Sequence, residues 1–127
     1  MMSLSTIAAI GSGGFIGAVL RAYINGLLPR TIAEIPVGTL SVNLLGSFIL
    51  GALFALFALT SIFSVHTKSF LSTGMMGALT TYSTFAFESF LLIQGGSIGY
   101  AVLNMALNLF GSILFAAIGY KIVNVLY

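Results

Sequence analysis

Enzymatic chemistry needs acids, bases, nucleophiles or metal ligands that converge on one place, and this sequence holds very few of them. There is one histidine, His66, there are two acids, Glu34 and Glu88, and there is no cysteine. His66 stands beside Lys68 in what reads as a loop, and the two acids belong to different elements. With no thiol nucleophile and no cysteine metal site on offer, an enzyme is not expected. The polarity present is of another kind, made of hydroxyls and carboxamides. Thr80-Thr81-Tyr82-Ser83-Thr84 is an uninterrupted hydroxyl run, preceded by Gly74 and Gly77 and followed by Phe85. Thr39, Asn43, Ser47 and Gly51 recur at intervals of four, as do Asn104, Asn108 and Ser112, and that interval places each set on one helix face. Such stripes either bond helices together, at about 0.6 kcal/mol per contact, or line a pore, and spacing alone leaves both open. Amide and hydroxyl donors beside the electropositive ring edges of Tyr82 and Phe85 suit an anion. Glu88 repels an anion unless it is paired, protonated or turned away, and an acid at membrane depth points to a function.

The elements that hold these groups are membrane helices. Only 5% of the residues are charged, against roughly 25% in soluble domains, while 59% are hydrophobic. A helical crossing takes about 20 largely apolar residues. The prolines and charged residues divide the chain into four stretches of that length, about 4–28, 37–61, 69–93 and 98–124. Pro29-Arg30 closes the first, Pro36 precedes the second, and Gln94-Gly95-Gly96-Ser97 turns the third into the fourth. The expectation is a single all-α membrane domain over 1–127. Because the first basic side chain, Arg21, follows the first apolar run rather than preceding it, that run reads as a retained span and not as a signal peptide.

Glycines at 74 and 77 and the β-branched threonines after them weaken a continuous helix, and hydroxyls can satisfy the backbone groups that a break frees. The third span is therefore expected to unwind near mid-membrane. Irregular backbone at that depth is tolerated only inside protein or along a water-filled cavity, where its carbonyls can coordinate a cation. Gly13 and Gly17 have GxxxG spacing, and Gly46, Gly51, Gly111 and Gly119 lie inside spans, so close helix packing is expected. A bundle of four short helices is meagre, which favours a second copy. Lys68 and Lys121 fall on one face and Arg21 and Arg30 on the other. Two against two gives the positive-inside rule nothing to act on, and predicts insertion in both orientations with antiparallel pairing. Four scattered basic residues form no nucleic-acid surface.

Longer motifs carry a resemblance. Gly17-Ala18-Val19-Leu20-Arg21 ends the first span, Pro36-Val37-Gly38-Thr39-Leu40-Ser41-Val42-Asn43-Leu44 opens the second, Gly77 through Glu88 fills the third, and Asn108-Leu109-Phe110-Gly111-Ser112 lies in the fourth. In these the chain resembles the Fluc (CrcB) fluoride channels, small bacterial and archaeal membrane proteins that export toxic fluoride. The resemblance implies a multi-pass protein of the bacterial inner membrane, four helices with the third broken, and an antiparallel, dual-topology homodimer. It implies two fluoride pores and a sodium ion on the two-fold axis, held by backbone carbonyls that match Gly77 and Thr80. The pore aromatics match Tyr82 and Phe85, and the span-two asparagine matches Asn43. The polar track matches Thr81, Ser83 and Thr84 near the break and Asn104, Asn108 and Ser112 on span four, while Arg21 matches a vestibule residue that raises the local anion concentration. Two positions depart from the pattern: Tyr82 stands where Phe is usual, and Ala78 where many relatives have a second glycine. Glu88 follows the motif without an assigned role. The implied activity is passive fluoride export, which confers resistance to fluoride. A rival of another class is a proton-coupled exporter of the small multidrug resistance kind. That mechanism needs a mid-membrane carboxylate, commonly in the first span, where this chain has none.

Overall fold

The computed structural model describes all of residues 1–127, and it is entirely helical apart from short connections. Helix α1 (Leu4–Leu27) starts where the Ser3 hydroxyl accepts the Thr6 N–H, which fills one of the donors a helix start leaves open. Helix α2 (Val37–Leu59) begins directly after Pro36, and α6 (Ile98–Leu126) closes the chain. These three are each long and apolar enough to cross a membrane. Between them the chain crosses in pieces: α3 (Val65–Ser69), a wide π-helical stretch (Phe70–Met76), α4 (Gly77–Leu79), and, after two extended residues, α5 (Tyr82–Gln94).

This third crossing begins earlier than its hydropathy suggests. Ser64 caps α3 by accepting the Thr67 N–H at 3.1 Å, so His66 and Lys68 stand on a helix and not in the expected loop. His66 Nε2 lies 3.0 Å from Ser5 Oγ and ties α3 to the start of α1. The interruption is also narrower than the glycines imply, because Gly77 is still helical at φ −60° and ψ −35°. The break itself is Thr80 (φ −81°, ψ 156°) and Thr81 (φ −149°, ψ 112°).

Packing runs through small residues. A Cβ on Gly13 would overlap the carbonyl oxygen of Phe70, and one on Gly17 that of Met75. The contacts Ser5–His66, Gly13–Phe70, Gly17–Met75 and Arg21–Thr80 advance together along both segments, so α1 and the first half of the third crossing lie parallel. Helices α2 and α6 form a second pair, with Gly51 against the Ala116 carbonyl and Gly119 against that of Phe48. Val42, Met76 and Leu79 form the apolar centre where the pairs meet, flanked by Ile24, Ile49 and Leu50. Only 17 of 127 residues are buried, and Phe15, Phe110 and Ile113 are among the large side chains that face outward. Surface of that kind requires lipid or another protein against it.

Candidate functional site

The break is held open by one side chain. Thr81 N–H, which in a continuous helix would bond Gly77 C=O, instead donates to Asn43 Oδ1 at 2.7 Å, and Asn43 Nδ2 donates back to Thr81 C=O at 3.1 Å. The carboxamide thus replaces a helical turn with a two-bond clasp from α2. Thr81 also starts α5, since its Oγ1 accepts the Thr84 N–H at 3.3 Å and donates to Thr84 Oγ1 at 2.8 Å. On the other side of the break, Thr80 N–H and Oγ1 both return to Met76 C=O, at 3.1 and 3.0 Å. Thr80 C=O points away from the helix and receives Arg21 Nη1 at 3.4 Å.

From Asn43 the hydrogen bonds continue as a buried relay. Asn43 Nδ2 donates to Asn108 Oδ1 (2.8 Å), Asn108 Nδ2 to Asn104 Oδ1 (3.1 Å), Asn104 Nδ2 to Ser89 Oγ (2.9 Å), and Ser89 Oγ to Phe85 C=O (2.8 Å). All four polar side chains are buried. Part of each polar stripe is therefore glue: Asn43 on α2 and Asn104 with Asn108 on α6 spend their hydrogens on one another and on the break. Ser89, which closes the relay, escaped the sequence reading. Its signal was the spacing of four from Phe85 on α5, next to the more conspicuous Glu88.

Ser47 and Ser112, by contrast, meet open space. A groove of about 290 Å³ runs beside the break, lined by Asn43, Ser47, Thr80, Thr81, Asn108 and Ser112 together with the rings of Tyr82 and Phe85. The two rings meet edge to face, with centroids 4.9 Å apart and planes at 87°, so aromatic carbon as well as hydroxyls borders it. Of the residues expected in the pore, Ser83, Thr84 and Asn104 lie outside this lining. Ser83 is exposed on α5, Thr84 is engaged with Thr81, and Asn104 sits in the relay. Tyr82 is 78% exposed, which leaves the groove open on that side.

Glu88 lies one turn beyond Phe85. Its Oε1 accepts from Thr39 Oγ1 at 2.8 Å, while Oε2 is buried without a partner. The two acids, widely separated in sequence, come together here: Glu34 and Glu88 line one cavity with Thr31 and Pro36. No group of three or more histidine, acidic or cysteine side chains is assembled anywhere in the fold. The arrangement offers hydroxyl, amide and carbonyl dipoles around the break, with the Arg21 guanidinium beside the Thr80 carbonyl and the Glu88 carboxylate one turn further along α5. Dipoles so arranged can replace the water around a small ion, and they supply neither a nucleophile nor a general base.

The family described as CrcB-like protein, Camphor Resistance (CrcB), matches residues 8–120. A protein of Sulfurimonas denitrificans described as fluoride-specific ion channel FluC is 63% identical over 123 residues, 96% of this chain and 95% of that one. Proteins of the same description from Campylobacter fetus and Nautilia profundicola are 46% and 48% identical, covering 99% and 94% of this chain and the same shares of their own. With a broken third crossing, a multi-pass helical build and matches of this extent, the chain belongs to the CrcB family of bacterial membrane proteins.

Proposed function

We propose that the protein is a fluoride-selective channel that lets fluoride leave the cell down its electrochemical gradient and so protects against fluoride toxicity. The observation that carries this reading is the groove at the break, where hydroxyls, carboxamides and two aromatic rings converge and the only full charge beside them is the cation of Arg21. A small anion held there exchanges water for donors and for the positive edges of aromatic rings. The relatives from Sulfurimonas and Campylobacter described as fluoride-specific channels support the choice of ion. No covalent step is involved and the protein is not an enzyme.

The working unit in this reading is an antiparallel, dual-topology homodimer. The groove is open beside Tyr82, and a second copy in the opposite orientation would close it and double it. The basic residues, balanced two against two, permit that arrangement. Arg21 belongs at the vestibule in this scheme, where its charge concentrates anions.

A sodium ion on the two-fold axis fits the donors at the break. Gly77 C=O has lost the Thr81 N–H to Asn43, and Thr80 C=O is held only by the long Arg21 contact. Unwound carbonyls of this sort are the donors that hold sodium in membrane proteins. Two oxygens from one chain would be half a shell, so a second copy would complete the site, and the ion would take the place of the Arg21 contact on the Thr80 carbonyl. When bound, sodium would supply a fixed charge joining the two breaks.

The test is direct. Protein reconstituted into liposomes loaded with fluoride should discharge it, as read by a fluoride electrode, with little release from chloride-loaded vesicles. Phe85→Ile should slow efflux by at least tenfold while the protein still purifies as a dimer. Equal permeability to the two halides would defeat the reading.

A further inference from the structure

A second cavity, about 330 Å³, opens between the α1–α2 connection and α5, where Asn25, Arg30, Thr31, Thr39 and Glu88 line it and no large apolar side chain does. On two helices its lining follows that of the groove at the break by about one turn. On α2, Thr39 is one turn from Asn43, and on α5, Glu88 is three residues from Phe85, steps of about 6 and 4.5 Å along a helix axis. In the channel reading, an ion that follows α2 and α5 out of the groove meets Glu88 next.

A carboxylate at that point obstructs an anion. Thr39 satisfies only Oε1, and Oε2 is buried with nothing bonded to it. Glu34 adds a second acid on the adjoining wall. Among the basic side chains, Arg21 is turned to the break, Lys68 lies over the Phe57 ring at 5.5 Å, and Lys121 borders a separate apolar hollow at the end of α6. Arg30 alone lines this cavity, and it is exposed and so able to reorient. Its planar fork matches a carboxylate better than any other side chain.

We propose that Arg30 is the counter-ion of Glu88 at this mouth, its guanidinium closing over the free Oε2 and cancelling the charge that would turn fluoride back. Arg30 is thus a positioning residue that sets anion access, and the inference rests on the channel reading above.

The test is a pair of mutant cycles on the full-length protein. In liposome efflux, Arg30→Gln should slow fluoride release by about tenfold, the size expected of one uncompensated charge near a narrow path. Adding Glu88→Gln to Arg30→Gln should recover most of that loss, whereas adding Glu34→Gln should not. In thermal melts of the detergent-solubilised protein, Arg30→Gln and Glu88→Gln should be non-additive, as coupled partners are. Wild-type efflux from Arg30→Gln, rescue by Glu34→Gln in place of Glu88→Gln, or additive melts would each overturn the pairing. A wild-type protein that passes no fluoride would defeat the channel reading instead, and the melts would still decide the pair.

Discussion

Asn43 concentrates more of the architecture than any other side chain. It serves both backbone groups of Thr81 and the Oδ1 of Asn108, so Asn43→Leu leaves three buried polar groups unpaired. An unpaired buried group costs about 1–3 kcal/mol in water-soluble proteins, whereas membrane hydrogen bonds average nearer 0.6 kcal/mol. The expected loss lies between those limits, roughly 2–4 kcal/mol in all, and should appear as a lowered unfolding midpoint together with loss of efflux. Ser47→Ala, one turn along the same stripe and bordering open groove, should leave the midpoint nearly unchanged. A second strained spot lies at Ala33 and Glu34, whose φ values of 48° and 67° are left-handed. They form a two-residue turn in which Ile32 and Ile35 exchange both backbone hydrogen bonds at 3.0 Å. Asn-Gly is the favoured pair for such a turn. The double substitution Ala33→Asn, Glu34→Gly should therefore raise the melting midpoint, by the equivalent of about 1–2 kcal/mol, and a fall would show that the turn is not left-handed.

Among the elements, the third crossing shows what can be read from a sequence and what cannot. The hydroxyl run from Thr80 to Thr84 marked the break because five polar side chains in one span have no reason to be there in an unbroken helix. Its width was not legible, since Gly74 and Gly77 weaken a helix in isolation but serve other ends here. Gly74 lets α1 approach closely, its missing Cβ leaving room for the Ile10 carbonyl, and Gly77 stays helical. The π-helical stretch from Phe70 to Met76 has no composition of its own to announce it. It arises where α1 presses its glycines on the turn, a tertiary effect that overrides local preference. The amide relay was half visible: intervals of four placed Asn104 and Asn108 on one face, but only the packing of α2 on α6 and α5 on α6 decides that they bond to Asn43 and Ser89. Gly17→Val should separate α1 from Met75 and destabilise the fold by several kcal/mol, comparable to overpacking in a core. Gly11→Val, where a Cβ meets nothing within 4 Å, should have little effect. Parallel melts of the two variants would check this.

At the level of the whole molecule, a protein with 17 buried residues in 127 leaves most of its apolar surface for lipid or a second copy to cover. Antiparallel pairing predicts that a tag at either terminus, in intact cells, is labelled on both sides of the membrane in comparable amounts. Labelling on one side only would contradict it. The parallel pairing of helices bears on motion as well. The first half of the third crossing is gripped by α1 and the second half by α6 through Ser89 and Asn104. The two halves thus lean on different helices, while α2 touches both and clasps the joint at Thr81 through Asn43. Rocking of one helix pair against the other would load that joint and its Asn43 clasp first, so in the proposed channel the ion's path and the most mechanically exposed link of the fold would coincide.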